Sequence, residues 1–294
     1  MPVAEIPIYH IIGVWRSGTT LLSSIFDAHP NVLATHESVF SLALYRKYRA
    51  VEKWDPKLIK ALLKTAFKEK NLRFVWEVDR QLVEDDLLKY IKEHPQANLN
   101  ELIKVIYLHY QSPNPKQQVE YLIDKNPVYS LFIPELSRAF PETKFVALVR
   151  DPRDNFLSRW KYNFHSLKWI PTYAWWWRLV NETILQEREK QPDRIHIVNY
   201  ETLVQFPEKT VRQICTFLNI PFEDSMFAFN KNFEKKKDKY LSRLHQAIGG
   251  EKDGFIKERM EMGDNLFKPV NTSRVHVWEE ELKDDAADLI AYIC

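Results

Sequence analysis

Two glycines separated by four residues, Gly13 and Gly18 in GVWRSGTTLL, have the spacing of a loop that cradles phosphate. Such loops normally continue with Lys and then Ser or Thr, but here Thr19 and Thr20 follow, and the positive charge sits inside the loop at Arg16. A loop between a strand and a helix aims backbone N–H groups and the positive helix end at one anion. Arg16, Ser17, Gly18, Thr19 and Thr20 are therefore candidate anion-binding residues. More than a hundred residues on, LVRDPRDNFLS supplies Arg150, Arg153 and Ser158. Arg150 and Ser158 are placed to meet one group if the stretch is a strand running into a helix. His36 and Glu37, in THES, and Lys125, in DKNP, complete the set of residues able to move a proton or steady a charge.

The elements that must position these residues are short apolar runs alternating with amphipathic stretches. IYHIIGV (8–14), NVLAT (31–35), VEYLID (119–124), KFVALV (144–149) and RIHIVNY (194–200) read as strands. Ser17 is a candidate cap for the segment GTTLLSSIFDAHP, whose Leu21, Leu22, Ile25 and Phe26 recur at helical spacing. Asp151 and Pro152 have the residue types of an N-cap and a first helical position. Residues 41–115 read as a helical insertion with breaks near 77–79 and 94–98. A long aromatic helix precedes the strand at 194–200, PEKTVRQICTFLNI reads as amphipathic helix, and a last helix closes the chain. Residues 231–264 are charged and weakly periodic, a candidate lid loop. The pattern predicts one α/β domain over 1–294, a P-loop-like three-layer fold with a mostly parallel sheet between helices. In such sheets ligands bind beyond the carboxyl ends of the strands. The loop residues, His36, Glu37, Lys125, Arg150 and Arg153 fall at those ends, Ser158 lies two helical turns past the fourth, and Tyr200 falls at the last.

Composition sets the outer limits. The 294 residues are 45% hydrophobic and 28% charged, with a net charge of +2, so neither a nucleic acid nor another polyanion is expected as partner. Cys215 and Cys294 alone make no disulfide framework and no metal cluster. No metal is expected. MPVAEIPIYHIIGVW lacks a basic n-region, and its apolar run is too short for a bilayer, so a soluble, cytoplasmic protein without a membrane span is expected. A homodimer is compatible with this reading. Four tryptophans fall in nine positions, Trp169 and Trp175–Trp177, close to His165. Trp169, Trp175, Trp176 and His165 are candidate contacts for an apolar or ring-shaped ligand.

RSGTT after a strand, followed by LVRDPRDNFLS, resembles the sulfotransferases that use 3′-phosphoadenosine 5′-phosphosulfate, and RSGTTLLSSIFDAHPNVLATHES is similar to their tyrosylprotein branch. The resemblance implies that the first motif holds the 5′-phosphosulfate and that Arg150 and Ser158 hold the 3′-phosphate. Glu37 matches the second residue of a Glu-Glu pair, the catalytic base, with His36 in the first place. DKNP resembles an NKDP segment, making Lys125 the sulfuryl-contacting lysine. NYETL supplies Tyr200, and KPVN supplies Lys268 as further cofactor contacts. His36, His109 and His165 stand as rival bases. The expected activity is sulfuryl transfer to a hydroxyl, favouring a small apolar alcohol or phenol such as a sterol or lipid-like molecule. A peptide tyrosine or a glycan is the alternative acceptor. A kinase or ATPase shares the architecture but would need the missing lysine after Gly18. A non-catalytic adenosine-bisphosphate-binding protein would have no use for Glu37 and Lys125.

Sulfuryl transfer also explains the altered loop. It resembles phosphoryl transfer in its in-line, loose transition state, but the transferred group carries less negative charge. Arg16 and Lys125 can then steady the bridging oxygen without a lysine dedicated to a terminal phosphate.

Overall fold

The structure, a computed structural model, describes residues 2–161, 169–231 and 268–294. Five parallel strands form one sheet in the order β2-β3-β1-β4-β5: β1 Ile8–Gly13, β2 Val32–Thr35, β3 Tyr121–Lys125, β4 Phe145–Val149 and β5 Ile195–Asn199. Each strand lies where an apolar run predicts it, within two residues at either end. The register sets Ile11 against Lys125 and Gly13 against Leu148, so the chemistry-bearing ends share one rim.

Helices cover both faces. Helix α1 (Thr19–Asp27) follows β1, and α2 (Phe40–Tyr48), α3 (Pro56–Ala66), α4 (Lys70–Phe74), α5 (Arg80–Glu93) and α6 (Leu99–Leu108) fill the stretch between β2 and β3. Then come α7 (Ile133–Ala139), α8 (Pro152–Trp160), α9 (Ile170–Lys190), α10 (Tyr200–Gln205) and α11 (Pro207–Leu218). Two short helices, Trp278–Glu281 and Asp284–Ile293, end the chain. Ile8, Ile12, Leu122 and Ala147 point to one face of the sheet and pack with the helices between β2 and β3. Tyr9, Ile11, Ile123 and Val146 point to the other and pack with α1 and α11. The period of two along buried strands thus makes two cores and three layers. No helix among the described residues is long and apolar enough to cross a membrane.

Asp151 caps α8 through the Arg153 N–H, with Pro152 at the first position, as the residue types predict. The start of α1 corrects an expectation. Its N-cap is Gly18 in the left-handed region (φ 89°), with no side-chain cap, and the Ser17 hydroxyl instead accepts from Asn155 Nδ2 at 3.0 Å. Residues 232–264 of the expected lid lie outside the described residues, as does His165.

Candidate active site

The loop after β1 is held open by two backbone conformations that side chains disfavour. Arg16 has φ 76° and Gly18 φ 89°. Strain at a non-glycine residue such as Arg16 persists only where the surroundings over-determine it. Here Asn155 Nδ2 donates to the Trp15 carbonyl as well as to Ser17, and the Tyr173 hydroxyl donates towards Asn155 Oδ1. Gly13 N–H donates to Ser130 Oγ at 2.8 Å. A Cβ at Gly13 would run into the Leu148 carbonyl, and one at Gly18 would meet the Tyr200 ring. Glycine at both positions lets backbone and ring close on the loop.

Arg16 and Ser158 are brought together, the guanidinium donating from Nε to Oγ at 3.0 Å. Arg150 is buried, lies over the Tyr200 ring at 4.6 Å, and donates to the carbonyls of Arg16 and Arg274 at 3.0 and 2.6 Å. Its Nε is buried without a hydrogen-bond acceptor among the described residues. A buried donor of this kind is costly unless a ligand satisfies it. Two cations, Arg150 from the end of β4 and Arg274 from the C-terminal segment, act on Tyr200: burial raises the pKa of its hydroxyl, while Arg150 and Arg274 oppose that shift.

On the other side of β1 the Lys125 ammonium donates to Glu37 Oε1 at 2.7 Å. The lysine side chain is 3% exposed and the glutamate 39%, so the carboxylate faces the opening. The residues between β2 and β3 fix the backbone that carries this carboxylate. Trp76 Nε1 donates to the His36 carbonyl and Asn71 Nδ2 to the Glu37 carbonyl, at 3.0 and 2.8 Å. Behind Lys125, Asp124 is fully buried and accepts from the Tyr107 hydroxyl. Burial pushes its carboxyl up to about 7, with Tyr107 and Lys125 pulling the other way.

The remaining candidates separate. Thr19 is buried in the first turn of α1, and Thr20 lines a cleft with His36 and Lys125. Lys268 is exposed at the start of the described C-terminal segment. Arg153 turns to Asp151 and stacks over Trp278 at 3.5 Å. His109 is paired with Asp86 at 3.1 Å, on the helices between β2 and β3. Trp176 stacks face to face on Trp15, centroids 5.3 Å apart, so it buttresses the loop. Trp169 and Trp175 are 71% and 62% exposed, and no tryptophan lines the cleft beside Lys125.

Sequence reading missed Asn155, Ser130, Arg274 and Asp154. Asn155 lies inside the RDPRDN stretch, yet its partner loop is 138 positions away. Asp154 is buried and accepts from the backbone N–H groups of His276 and Trp278, at 2.8 and 3.0 Å. That contact sets the C-terminal segment against Arg150, and nothing local in the sequence announces it. Among the described residues, no group of three or more His, Cys, Asp or Glu is placed to hold a metal ion.

A three-layer parallel sheet with a cationic glycine loop and a Lys–Glu pair at one rim makes a site suited to an anionic group. The family model described as the sulfotransferase family matches residues 7–224, and the chain belongs to that family. It is 26% identical to Protein-tyrosine sulfotransferase 1 of Danio rerio over 294 residues, 98% of this chain and 70% of the relative. Against Protein-tyrosine sulfotransferase 1 of Homo sapiens it is 27% identical, covering 98% of this chain and 68% of the relative. Against the Drosophila melanogaster protein-tyrosine sulfotransferase the identity is 24%, and the chain spans 48% of that relative's length. The sulfotransferase domain from the Synechococcus PCC 7002 olefin synthase has a similar fold, with a TM-score of 0.54 at 19% identity, covering 98% of this chain and 95% of that one.

Proposed function

We propose that this sulfotransferase takes its sulfuryl group from 3′-phosphoadenosine 5′-phosphosulfate and delivers it to a tyrosine hydroxyl in a polypeptide. The observation that carries the reading is the convergence of Arg16, Lys125 and Arg150 around one glycine loop, with the Lys125–Glu37 pair at its side. The donor, when bound, supplies an activated sulfuryl group. The loop's glycines let it pack against Leu148 and Tyr200 in the conformation that would hold the phosphosulfate, and the buried, unsatisfied Nε of Arg150 is suited to its 3′-phosphate, beside Tyr200.

Glu37 is the residue to accept the acceptor's phenolic proton: its carboxylate faces the opening, and its backbone is fixed by Asn71. Lys125, buried at its back, steadies negative charge that develops on the leaving oxygen. Arg16 does the same from within the loop. Two observations favour a polypeptide over the sterol- or lipid-like alcohol. The relatives that span almost all of this chain are named protein-tyrosine sulfotransferases. The tryptophans that suggested an apolar acceptor stand apart from the cleft beside Lys125.

The test is to incubate the protein and donor with a tyrosine-containing peptide, a simple phenol and a sterol, and to measure the mass gained by each. A gain of one SO₃ on the peptide supports the reading. A gain on the sterol alone overturns the choice of acceptor.

A further inference from the structure

Residues 36–39 join β2 to α2 and belong to neither, so the carbonyls of His36, Glu37 and Ser38 must find partners outside the regular ladders. Each of these consecutive carbonyls accepts from a different side chain, far along the chain. Trp76 Nε1 reaches His36 at 3.0 Å and Asn71 Nδ2 reaches Glu37 at 2.8 Å. The Tyr129 hydroxyl reaches Ser38 at 3.3 Å and lies 2.7 Å from Ser41 Oγ. A carbonyl can only accept, so the tyrosine proton serves Ser38 and the Ser41 hydroxyl donates to Tyr129.

The donors are themselves held. Trp76 and Tyr129 are fully buried, and Trp76 packs on Phe40 at 5.5 Å and on Tyr110 at 5.2 Å. The N–H groups of Val75 and Trp76 both donate to the Asn71 carbonyl, at 2.9 and 3.0 Å, so the two donors at the end of α4 are tied to each other. Glu77, directly after Trp76, has φ 52°, a conformation that persists at a non-glycine residue only where the surroundings over-determine it. Tyr129 sits in the turn Pro127–Leu131, just after Lys125. The end of β3 and its turn thus meet the Glu37 segment twice, Lys125 at the carboxylate and Tyr129 at the backbone. With three carbonyls in a row engaged, the peptide planes of 36–38 cannot turn without breaking a hydrogen bond. A reacting group misplaced by about 1 Å costs on the order of 100-fold in rate.

We infer that Asn71, Trp76 and Tyr129 are positioning residues, which hold Glu37 within reach of the acceptor's proton by fixing the backbone that carries it. The helices between β2 and β3 then serve the reaction as well as the fold. The inference rests on Glu37 being the base.

Asn71→Leu roughly keeps the volume and removes the donor. Tyr129→Phe removes only the hydroxyl and covers the case in which the leucine variant fails to fold. Each is made alone and in the Glu37→Gln protein, with a tyrosine-containing peptide and a simple phenol as acceptors and adenosine 3′,5′-bisphosphate affinity measured by calorimetry. Each single variant is expected to lower kcat at least tenfold, with KM and bisphosphate affinity within about threefold. In the Glu37→Gln protein the same substitutions are expected to change kcat less than about twofold, since no base is left to misplace. An equal loss in both backgrounds, no loss in either variant, or a loss accompanied by tenfold weaker bisphosphate binding overturns the positioning role. Wild-type turnover in Glu37→Gln overturns the base itself, a separate result. Hydrogen exchange at the amides of residues 36–39 needs no turnover and is expected to be at least tenfold faster in each variant than in the wild type. Unchanged exchange in both variants overturns the inference even where neither acceptor is sulfated.

Discussion

Lys125 and Glu37 meet at 2.7 Å with opposite surroundings, the lysine buried and the carboxylate at the opening. The pair joins the end of β3 to the segment after β2, and it sets a carboxylate and an ammonium side by side.

Glu37→Gln keeps an acceptor for Lys125 but cannot take a proton. Turnover is expected to fall on the order of 10²–10⁴-fold, the usual worth of a general base. Affinity for adenosine 3′,5′-bisphosphate, measured by calorimetry, should stay within a few-fold. Turnover equal to the wild type would remove Glu37 from the role of base.

Arg150→Ala removes a buried guanidinium that bridges Arg16, Tyr200 and Arg274. Losing a buried charged partner of a phosphate costs about 2 kcal/mol or more, roughly a thirtyfold weaker bisphosphate complex. Unchanged affinity would refute the assignment.

Gly18→Ala puts a Cβ against the Tyr200 ring at a φ of 89°. Strain of this kind costs on the order of 1–3 kcal/mol. Lower thermal stability and weakened bisphosphate binding are expected together. An alanine variant that melts and binds like the wild type would show that the loop does not need this close approach.

Asp124 provides a pH test. Burial raises its carboxyl from 3.8 to about 7, so the native state holds the proton more tightly than the unfolded chain. Its ionisation therefore costs the folded protein stability as pH rises from about 4 to about 7, and the cost is absent below that window. Asp124→Asn has no such ionisation. The melting temperature of the variant minus that of the wild type should become more positive across the window. A difference independent of pH would mean that the carboxyl does not titrate there.

Much of the site was legible because each part is announced locally. β1 is an apolar run that ends at Gly13, Lys125 precedes an Asn-Pro turn, and Arg150 precedes an Asp-Pro helix start; a parallel sheet then brings those ends to one rim. What stayed hidden depends on partners far along the chain. Ser17 has the residue type of a helix cap, but Asn155 competes for its hydroxyl, and Gly18 takes the cap position. Trp176 has the look of a ligand platform until Trp15 is found stacked on it. Asp154 gives no sign in sequence that it secures the backbone at His276 and Trp278.

The most direct measurement is a calorimetric titration of the wild-type protein with adenosine 3′,5′-bisphosphate and, separately, with adenosine 5′-monophosphate. The convergence of Arg16, Arg150, Ser158 and Tyr200 predicts saturable binding of the bisphosphate, at least about tenfold tighter than the monophosphate, or ~1.4 kcal/mol. No binding, or equal affinity for the two nucleotides, would contradict a rim built to hold both phosphate groups.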